Sequence, residues 1–355
     1  MVDWQPFRQR WVDRLERLHA RYGRLFWTLH SVWALLTGVL VLVLAHNRYG
    51  YIRWVVLFLA LTWASTLFFS RFSQRGTGRM FVFAQGFVSY LTRVLYQETL
   101  FFLLPFYFYS TTFPSWNALF ILVLAGLAVF SCIDLPFDRL FRSSKLFALS
   151  FFALVTFSAL IFFFPFLVKV RTHHGLYLAA VLSFFAALPL AMRLGELKEP
   201  RKLGAGLLVL VLILGLVRLA RPLIPPVPLR LAKVRFSTQL DPRTLRVARD
   251  FERDIPAAEL TAGRLYAVVT VFSPVPLPTS LVVRWQEGGR TLRSSRAVEV
   301  MAHARGFRVW DALNLQRTPL KGGRYRLEVW TAEGQLLGKV PFRVVPSPEQ
   351  GTGDG

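Results

Sequence analysis

Long apolar segments fill the first two thirds of the chain, and short runs of alternating polar and apolar residues follow them. A helix needs about 20 apolar residues to cross the ~30 Å hydrocarbon core of a bilayer. Seven segments of suitable length precede residue 221, namely 26–45, 54–70, one within 81–113, 116–133, 146–168, 175–192 and 203–220. The pattern predicts an α-helical membrane bundle of about seven transmembrane helices.

The remainder of the chain has the pattern of strands. Tyr325, Leu327 and Val329 alternate with charged residues, which is typical of a strand that is buried on one face. Gly288 and Gly289 predict a tight turn between two such runs. Seven to eight short strands with Pro- and Gly-rich joints favour an all-β sandwich, similar to an Ig or fibronectin domain.

These patterns divide the chain into five parts. Trp and Leu residues recur at helical spacing between arginines near the N-terminus, which predicts a basic amphipathic helix on the membrane surface. Packing of this helix against the bundle is the alternative. The predicted parts are the N-terminal helix (1–25), the transmembrane bundle (26–221), a Pro-rich linker (222–228), the β-sandwich (229–346) and a disordered tail (347–355).

Composition and charge suit a membrane protein and orient it. Hydrophobic residues make up 54% of the chain and charged residues 18%, with a formal net charge of +23. Lys and Arg cluster in alternate loops, sixteen on the side of the N-terminus and four on the other. The positive-inside rule therefore predicts a multi-pass protein of the bacterial inner membrane, with a cytoplasmic N-terminus and a periplasmic β-sandwich. On this interpretation the N-terminal helix meets anionic headgroups, and no nucleic acid is bound.

The third segment carries polar groups near its middle. Arg93, Gln97 and Glu98 lie in an otherwise apolar stretch, where an ionisable group costs at least ~2.5–3.5 kcal/mol and should face a partner or water. They could form a proton relay, an ion pathway or a ligand site, or a hydrogen bond that fastens two helices. Residues 80–113 could be one tilted helix, or an interfacial helix followed by a crossing.

Two further sets of residues are candidates for a site. Asp134, Asp138 and Arg139 lie at the predicted cytoplasmic end of the fourth segment, where a loop with ion pairs is favoured over a metal site. The adjacent His173 and His174 offer too few ligands for a metal site. Metal-binding, nucleotide-binding and hydrolase motifs are absent from the sequence. We therefore expect no metal and no cofactor, and a non-enzymatic role is favoured over enzymatic activity.

Three tryptophans mark the predicted β-sandwich. Trp285, Trp310 and Trp330 are expected to anchor its core. If they were exposed together, they would instead form a face for a sugar or a peptide.

The chain resembles known families of unknown function. Residues 97–106, followed by Ser131 and Asp134, resemble a family of uncharacterised bacterial inner-membrane proteins. Residues 263–266, 283–285, 306–310 and 322–329 resemble a small domain that is often attached to such membrane segments. That membrane family often has a His where this chain has Tyr96, which argues against chemistry by a His–Glu pair here. The resemblance implies a membrane half with a small C-terminal domain, and it implies no activity.

Two functions are compatible with these features. One is a non-enzymatic envelope protein whose periplasmic β-sandwich binds a protein, a glycan or a lipid headgroup. The other is a transporter or lipid-handling protein that works through Gln97 and Glu98. A membrane enzyme ranks below both, because no acidic residue is paired with a clear base.

Overall fold

A computed structural model of the chain describes most residues beyond position 78. The described residues are 79–113, 115–167, 171–192, 196, 198–274, 277–301 and 306–346, with isolated positions 32, 33 and 36. The predicted N-terminal helix, the first two apolar segments (apart from those isolated positions) and the C-terminal tail lie outside these residues. The described chain is helical as far as residue 223 and rich in β-strands from residue 230.

Six α-helices form the described helical part. They are α1 (Arg79–Tyr109), α2 (Ala118–Cys132), α3 (Asp134–Ser143), α4 (Lys145–Leu167), α5 (Thr172–Ala191) and α6 (Pro200–Leu219). α1 is one continuous helix of 31 residues, rather than an interfacial helix followed by a crossing. Within the described residues, α4, α5 and α6 are long and apolar enough to span a membrane, whereas the apolar α2 is shorter. The described residues therefore contain three candidate spans, and the seven predicted helices stay a prediction.

The surface of α6 indicates association with a membrane. Eight large apolar side chains of this helix are exposed, and Val217 is its one buried residue. A helix in a soluble protein normally turns an apolar stripe toward a core and a polar face toward water. An apolar helix that is exposed on most sides suits a lipid environment instead.

Eleven strands follow in the described β region. They are β1 (Arg230–Ser237), β2 (Leu240–Asp241), β3 (Arg246–Val247), β4 (Asp254–Pro256), β5 (Arg264–Phe272), β6 (Ser280–Glu287), β7 (Arg290–Ser294), β8 (Val298–Glu299), β9 (Phe307–Asn314), β10 (Gly323–Thr331) and β11 (Leu336–Val345). One sheet has the order β1-β5-β9, and a second has the order β4-β11-β10-β6-β7 with β8 beside β6. β4 runs parallel to β11.

The two main sheets contribute to one hydrophobic core. Phe236 from β1 meets Trp285 from β6 and Phe342 from β11, with ring centroids 4.7–6.0 Å apart. All three side chains are buried. The prediction of a β-rich C-terminal region is therefore confirmed, while its assignment to the Ig or fibronectin type stays a prediction.

The chain divides into two compact units. The described residues of the first unit are 79–102 and 124–152, and the second contains 103–123 and the described residues from 153 onward. The second unit thus joins several helix ends to the β region. In the first unit, the ring of Phe137 lies 5.2–6.0 Å from four other phenylalanine rings, those of Phe130, Phe141, Phe147 and Phe151.

Candidate functional site

Within the second unit, the start of β11 is hydrogen-bonded to the connection between α1 and α2. The Thr112 hydroxyl donates to the carbonyl of Leu337 at 3.1 Å. The Asn117 amide donates to the carbonyl of Leu336 at 3.0 Å, and Asn117 is fully buried. A Cβ atom added at Gly338 would overlap the side chain of Leu231 and lie 3.0 Å from the Thr112 hydroxyl oxygen. The glycine therefore permits the close approach of β11 to Leu231 of β1 and to Thr112 after α1.

The turn between β10 and β11 also contacts the segment after α6. Arg221 donates from Nη1 to the carbonyl of Glu333 at 3.1 Å. Its guanidinium lies 4.9 Å from the ring centroid of Tyr177 in α5 and donates to the Tyr177 hydroxyl. Gln335 donates from Nε2 to the carbonyl of Ile224 at 3.2 Å. Hydrogen bonds therefore join the turn to the segment after α6, and they join the start of β11 to the connection between α1 and α2.

The side chain of Glu333 adds polar contacts at the same place. It accepts a hydrogen bond from the Thr279 hydroxyl at 3.0 Å, and its Oε1 lies 3.7 Å from His173 Nδ1. The rings of His173 and His174 lie 3.8 Å apart. The described residues contain no group of three or more His, Cys, Asp or Glu side chains placed to hold a metal. These contacts therefore position the turn of a strand pair.

These contacts define one feature, which we call the junction cluster. Its members are Thr112, Asn117, His173, Tyr177, Arg221, Thr279, Glu333 and Gln335. Sequence reasoning singled out His173 and missed the rest, because partners such as Thr112 and Leu337 are 225 positions apart. An Asn at position 117, just before a long apolar run, is the local sequence signal that could have drawn attention to this cluster.

The predicted intramembrane site is partly described. Gln97 is 2% exposed, and its Nε2 has no hydrogen-bond partner among the described residues. Glu98 is half-buried and is not isolated. Tyr96 packs edge-on against Phe151 at 5.7 Å. Arg93, Gln97 and Glu98 all belong to α1. The side chain of Arg93 lies outside the described part, and no contact between Gln97 and Glu98 is described.

The acidic cluster lies on a helix, so the predicted loop is wrong. Asp134, Asp138 and Arg139 belong to α3, although the side chain of Asp134 is not described. Pro136 lies in the first turn, where a missing N–H costs no helical hydrogen bond. Phe137 is buried among aromatic rings and fixes the helix from one side. Asp138 is half-buried and Arg139 is exposed.

The three tryptophans occupy three different environments. Trp285 is 0% exposed in the core, whereas Trp310 is 41% exposed on the three-stranded sheet. Trp330 is half-buried on the second sheet, and its indole N–H donates to Glu328 at 2.9 Å. The three rings therefore do not form one face.

A buried carboxylate links the two sheets beside Trp285. Asp311 on β9 accepts a hydrogen bond from the Trp285 indole N–H at 2.8 Å. Arg293 on β7 donates to both carboxylate oxygens of Asp311, at 3.1 and 3.2 Å. These hydrogen bonds raise the pKa of Arg293. A cation and an indole N–H therefore satisfy this carboxylate inside the core, as a buried acidic group requires.

Comparison with known proteins defines the family. No curated protein shows significant sequence similarity to the chain. The model of a family of unknown function, DUF5924, matches residues 7–267, which is well over half of the chain. The match includes Gln97, Asn117, His173 and Arg221 and ends within β5, before the turn between β10 and β11. The chain therefore belongs to this family of unknown function, DUF5924, as its resemblance to uncharacterised proteins predicted.

Proposed function

We propose that the chain is a multi-pass protein of a bacterial inner membrane that holds its β region on the periplasmic side, where this region binds a component of the envelope. The junction cluster carries the proposal. The α1–α2 connection, the start of α5 and the end of α6 all contribute to it. Helix ends that meet one β hairpin must share one side of a membrane, and the predicted alternation of helices gives these three ends the same side.

Exposed aromatic residues support a membrane boundary near the junction cluster. Phe108, Tyr109, Phe113 and Trp116 are 38–72% exposed around the α1–α2 connection. Aromatic side chains are enriched at the interface between membrane and water, where the ring sits at the level of the headgroups. A soluble surface would gain nothing from four such residues close together.

The charges at the opposite end of α5 and α6 support the orientation. α5 runs from the junction cluster to Ala191, and α6 returns from Pro200. Each helix has 20 residues, about 30 Å, which matches a hydrocarbon core. Lys198, Arg201 and Lys202 lie at the connection between them, and cations of this kind favour the cytoplasmic side.

Thiol labelling of intact cells tests the orientation. Cys132 is the one cysteine of the chain, so Cys132→Ala gives a background for single cysteines at exposed positions. A membrane-impermeant maleimide should label Arg324→Cys in the β region of intact cells. It should label the matched control Arg201→Cys after permeabilisation alone. The reverse pattern would reject a periplasmic β region.

Native mass spectrometry of the mildly solubilised full chain tests binding. A stoichiometric envelope component should remain on the wild type. It should still be present in Gln97→Leu, because that change lies in α1, in the first unit. A chain that carries nothing, or carries only lipid that Gln97→Leu removes, would contradict binding by the β region.

The environment of Gln97 favours a second candidate function, in which the helices bind a lipid or another small polar molecule. A buried amide without a partner costs roughly 1–3 kcal/mol. Thr99, two positions away, satisfies its hydroxyl by donating to the carbonyl of Leu95 at 2.8 Å. Gln97 Nε2 has no such partner among the described residues, and a ligand oxygen could accept its hydrogen bond.

Gln97→Leu separates a ligand site from a packing role. If Nε2 binds a polar ligand, this variant should lose a co-purifying lipid or small molecule at unchanged protein yield. Thr99→Val is the matched polar-to-apolar control and should retain the ligand. Native mass spectrometry of both variants gives the comparison. An unchanged ligand content in Gln97→Leu would leave Gln97 without a ligand-binding role.

A further inference from the structure

The three-stranded sheet exposes a face that carries cations and aromatic rings. Side chains alternate between the two faces of a strand, and the inward positions of β1, β5 and β9 fill the hydrophobic core. The outward positions of these strands contain no Asp or Glu. We call their central part the basic strip and define it by Lys233, Arg235, Arg264, Tyr266, Arg308 and Trp310.

The strand register gives the basic strip an elongated shape. Lys233 and Arg308 flank Thr270 in one row, and Arg235 and Trp310 flank Val268 in the next. With strands about 4.8 Å apart, the strip is about 10 Å wide. It extends about 20 Å from Arg264 to Thr270 along β5, at ~3.3 Å per residue. This outline suits a linear chain lying along the strands better than a single small anion.

Most cations of the basic strip are available to a ligand. Lys233, Arg264 and Arg308 make no ion pair with any described residue. Arg235 lies 3.4 Å from Asp250, but both side chains are partly exposed. Such a surface pair is worth at most about 1 kcal/mol and can yield to a ligand.

The outer face of the second sheet differs because it carries an acidic residue that engages neighbouring cations. Glu328 is buried and accepts hydrogen bonds from Gln286 and Trp330, each at 2.9 Å. Lys339 lies 3.3 Å and Arg326 3.8 Å from the same carboxylate. Glu328 therefore engages Lys339 and Arg326, whereas three of the four cations of the basic strip make no such pair with a described residue.

Two aromatic rings lie together within the basic strip. Trp310 is 41% exposed, and its ring centroid is 6.0 Å from that of the half-buried Tyr266. The π face of an aromatic ring carries negative charge. It therefore attracts the C–H groups on one face of a sugar ring, which carry partial positive charge. Cations beside such a ring suit a sugar chain that bears carboxylates or phosphates.

We infer that the basic strip binds a linear anionic glycan; this inference rests on the proposed function, since it names the class of envelope component. The distance from the helices favours a polymer over bilayer headgroups. The Arg230 guanidinium lies 5.5 Å from the Tyr109 ring of α1 and 5.6 Å from the Phe272 ring. Trp310 pairs with Val268, four residues or about 13 Å along β5 from Phe272. A lipid headgroup at the end of α1 does not reach that far.

Binding of defined probes to the full chain in neutral-lipid nanodiscs tests the inference. The main probe is a fluorescent hexamer of galacturonic acid. Its methyl-esterified form retains the sugar rings without charge, and hexaglutamate retains the charge without sugars. The acidic hexamer should bind most tightly, and its affinity should fall as salt is raised.

Substitutions in the basic strip should weaken binding of the acidic hexamer. Trp310→Ala should lower the affinity about tenfold, and Lys233→Ala or Arg308→Ala should lower it several-fold. Arg324→Ala, an equal charge change on the second sheet, should stay within twofold.

Several outcomes would overturn the inference. Equal binding of hexaglutamate would indicate an acidic peptide, and tighter binding to phosphatidylglycerol vesicles that Trp310→Ala leaves unchanged would indicate a lipid surface. No binding of the acidic hexamer would reject the inference outright.

These failures differ from a failure of the proposed function. The proposed function would stand if the label at position 324 is periplasmic and Trp310→Ala retains an envelope component. A cytoplasmic label would reject the proposed function, independently of the result with the glycan.

Discussion

Trp285→Ala is expected to lower the free energy of unfolding of the β region by about 3–5 kcal/mol. Trp285 is 0% exposed and lies 5.9–6.0 Å from the rings of Phe236 and Phe342. Its removal leaves a cavity at the centre of the core and takes one hydrogen-bond donor from Asp311. A domain is commonly stable by 5–15 kcal/mol. The loss is therefore a large share of the total, and urea unfolding of the full chain in detergent, followed by hydrogen exchange in the strands, measures it.

A second tryptophan and a milder substitution at position 285 provide matched controls. Trp310→Ala removes the same side chain from a position that is 41% exposed and should cost clearly less than Trp285→Ala, because less apolar surface is buried there. Trp285→Phe keeps a ring and removes the indole N–H, so its cost should fall between the two alanine variants. Similar losses for Trp285→Ala and Trp310→Ala would contradict the central role of Trp285 in the core.

Asn117→Leu is expected to loosen the attachment of the turn between β10 and β11. The amide of Asn117 donates to the carbonyl of Leu336 inside a buried site. Its loss leaves that carbonyl without this partner, at a cost of about 2 kcal/mol. Because 1.4 kcal/mol is a factor of ten, local opening should become roughly 30-fold more frequent. Amide hydrogen exchange at Thr331, Gly334 and Gln335 measures the opening, since all three amides are hydrogen-bonded within this turn.

A second asparagine separates this effect from general destabilisation. The side chain of Asn314 accepts hydrogen bonds from the amides of Gln316 and Arg317 in another turn. Asn314→Leu should accelerate exchange there and leave residues 331–335 unchanged. If Asn117→Leu also left residues 331–335 unchanged, the junction cluster would not hold the turn.

The sequence predicted some features of the candidate sites and did not predict others. The buried position of Gln97 in an apolar helix follows from local composition. The helix at Asp134 does not follow as easily, since Pro136 and flanking charges are also typical of a loop. Packing of Phe137 among other rings decided that segment. Long-range packing of this kind overrides local propensity.

The arrangement of β9 shows how residue type can mislead. By residue type alone, Trp310 would be expected to be buried and Asp311 exposed, although Asp311 alternates in phase with Val309. The structure has the opposite arrangement, with Asp311 buried and Trp310 exposed. Trp285 and Arg293 satisfy the carboxylate from the second sheet, and this compensation is visible only after the sheets are packed.

The sequence by itself determined the division of this chain into apolar helices and a β-rich region, because hydrophobic period and segment length are local properties. It also determined most strand positions, such as β10 with Tyr325, Leu327 and Val329 buried. The tertiary structure alone decided which tryptophan lies in the core, which cations stay unpaired, and how the turn between β10 and β11 meets the helix ends. These features depend on partners such as Thr112 and Leu337, which are 225 positions apart, and local pattern carries no information about such pairs.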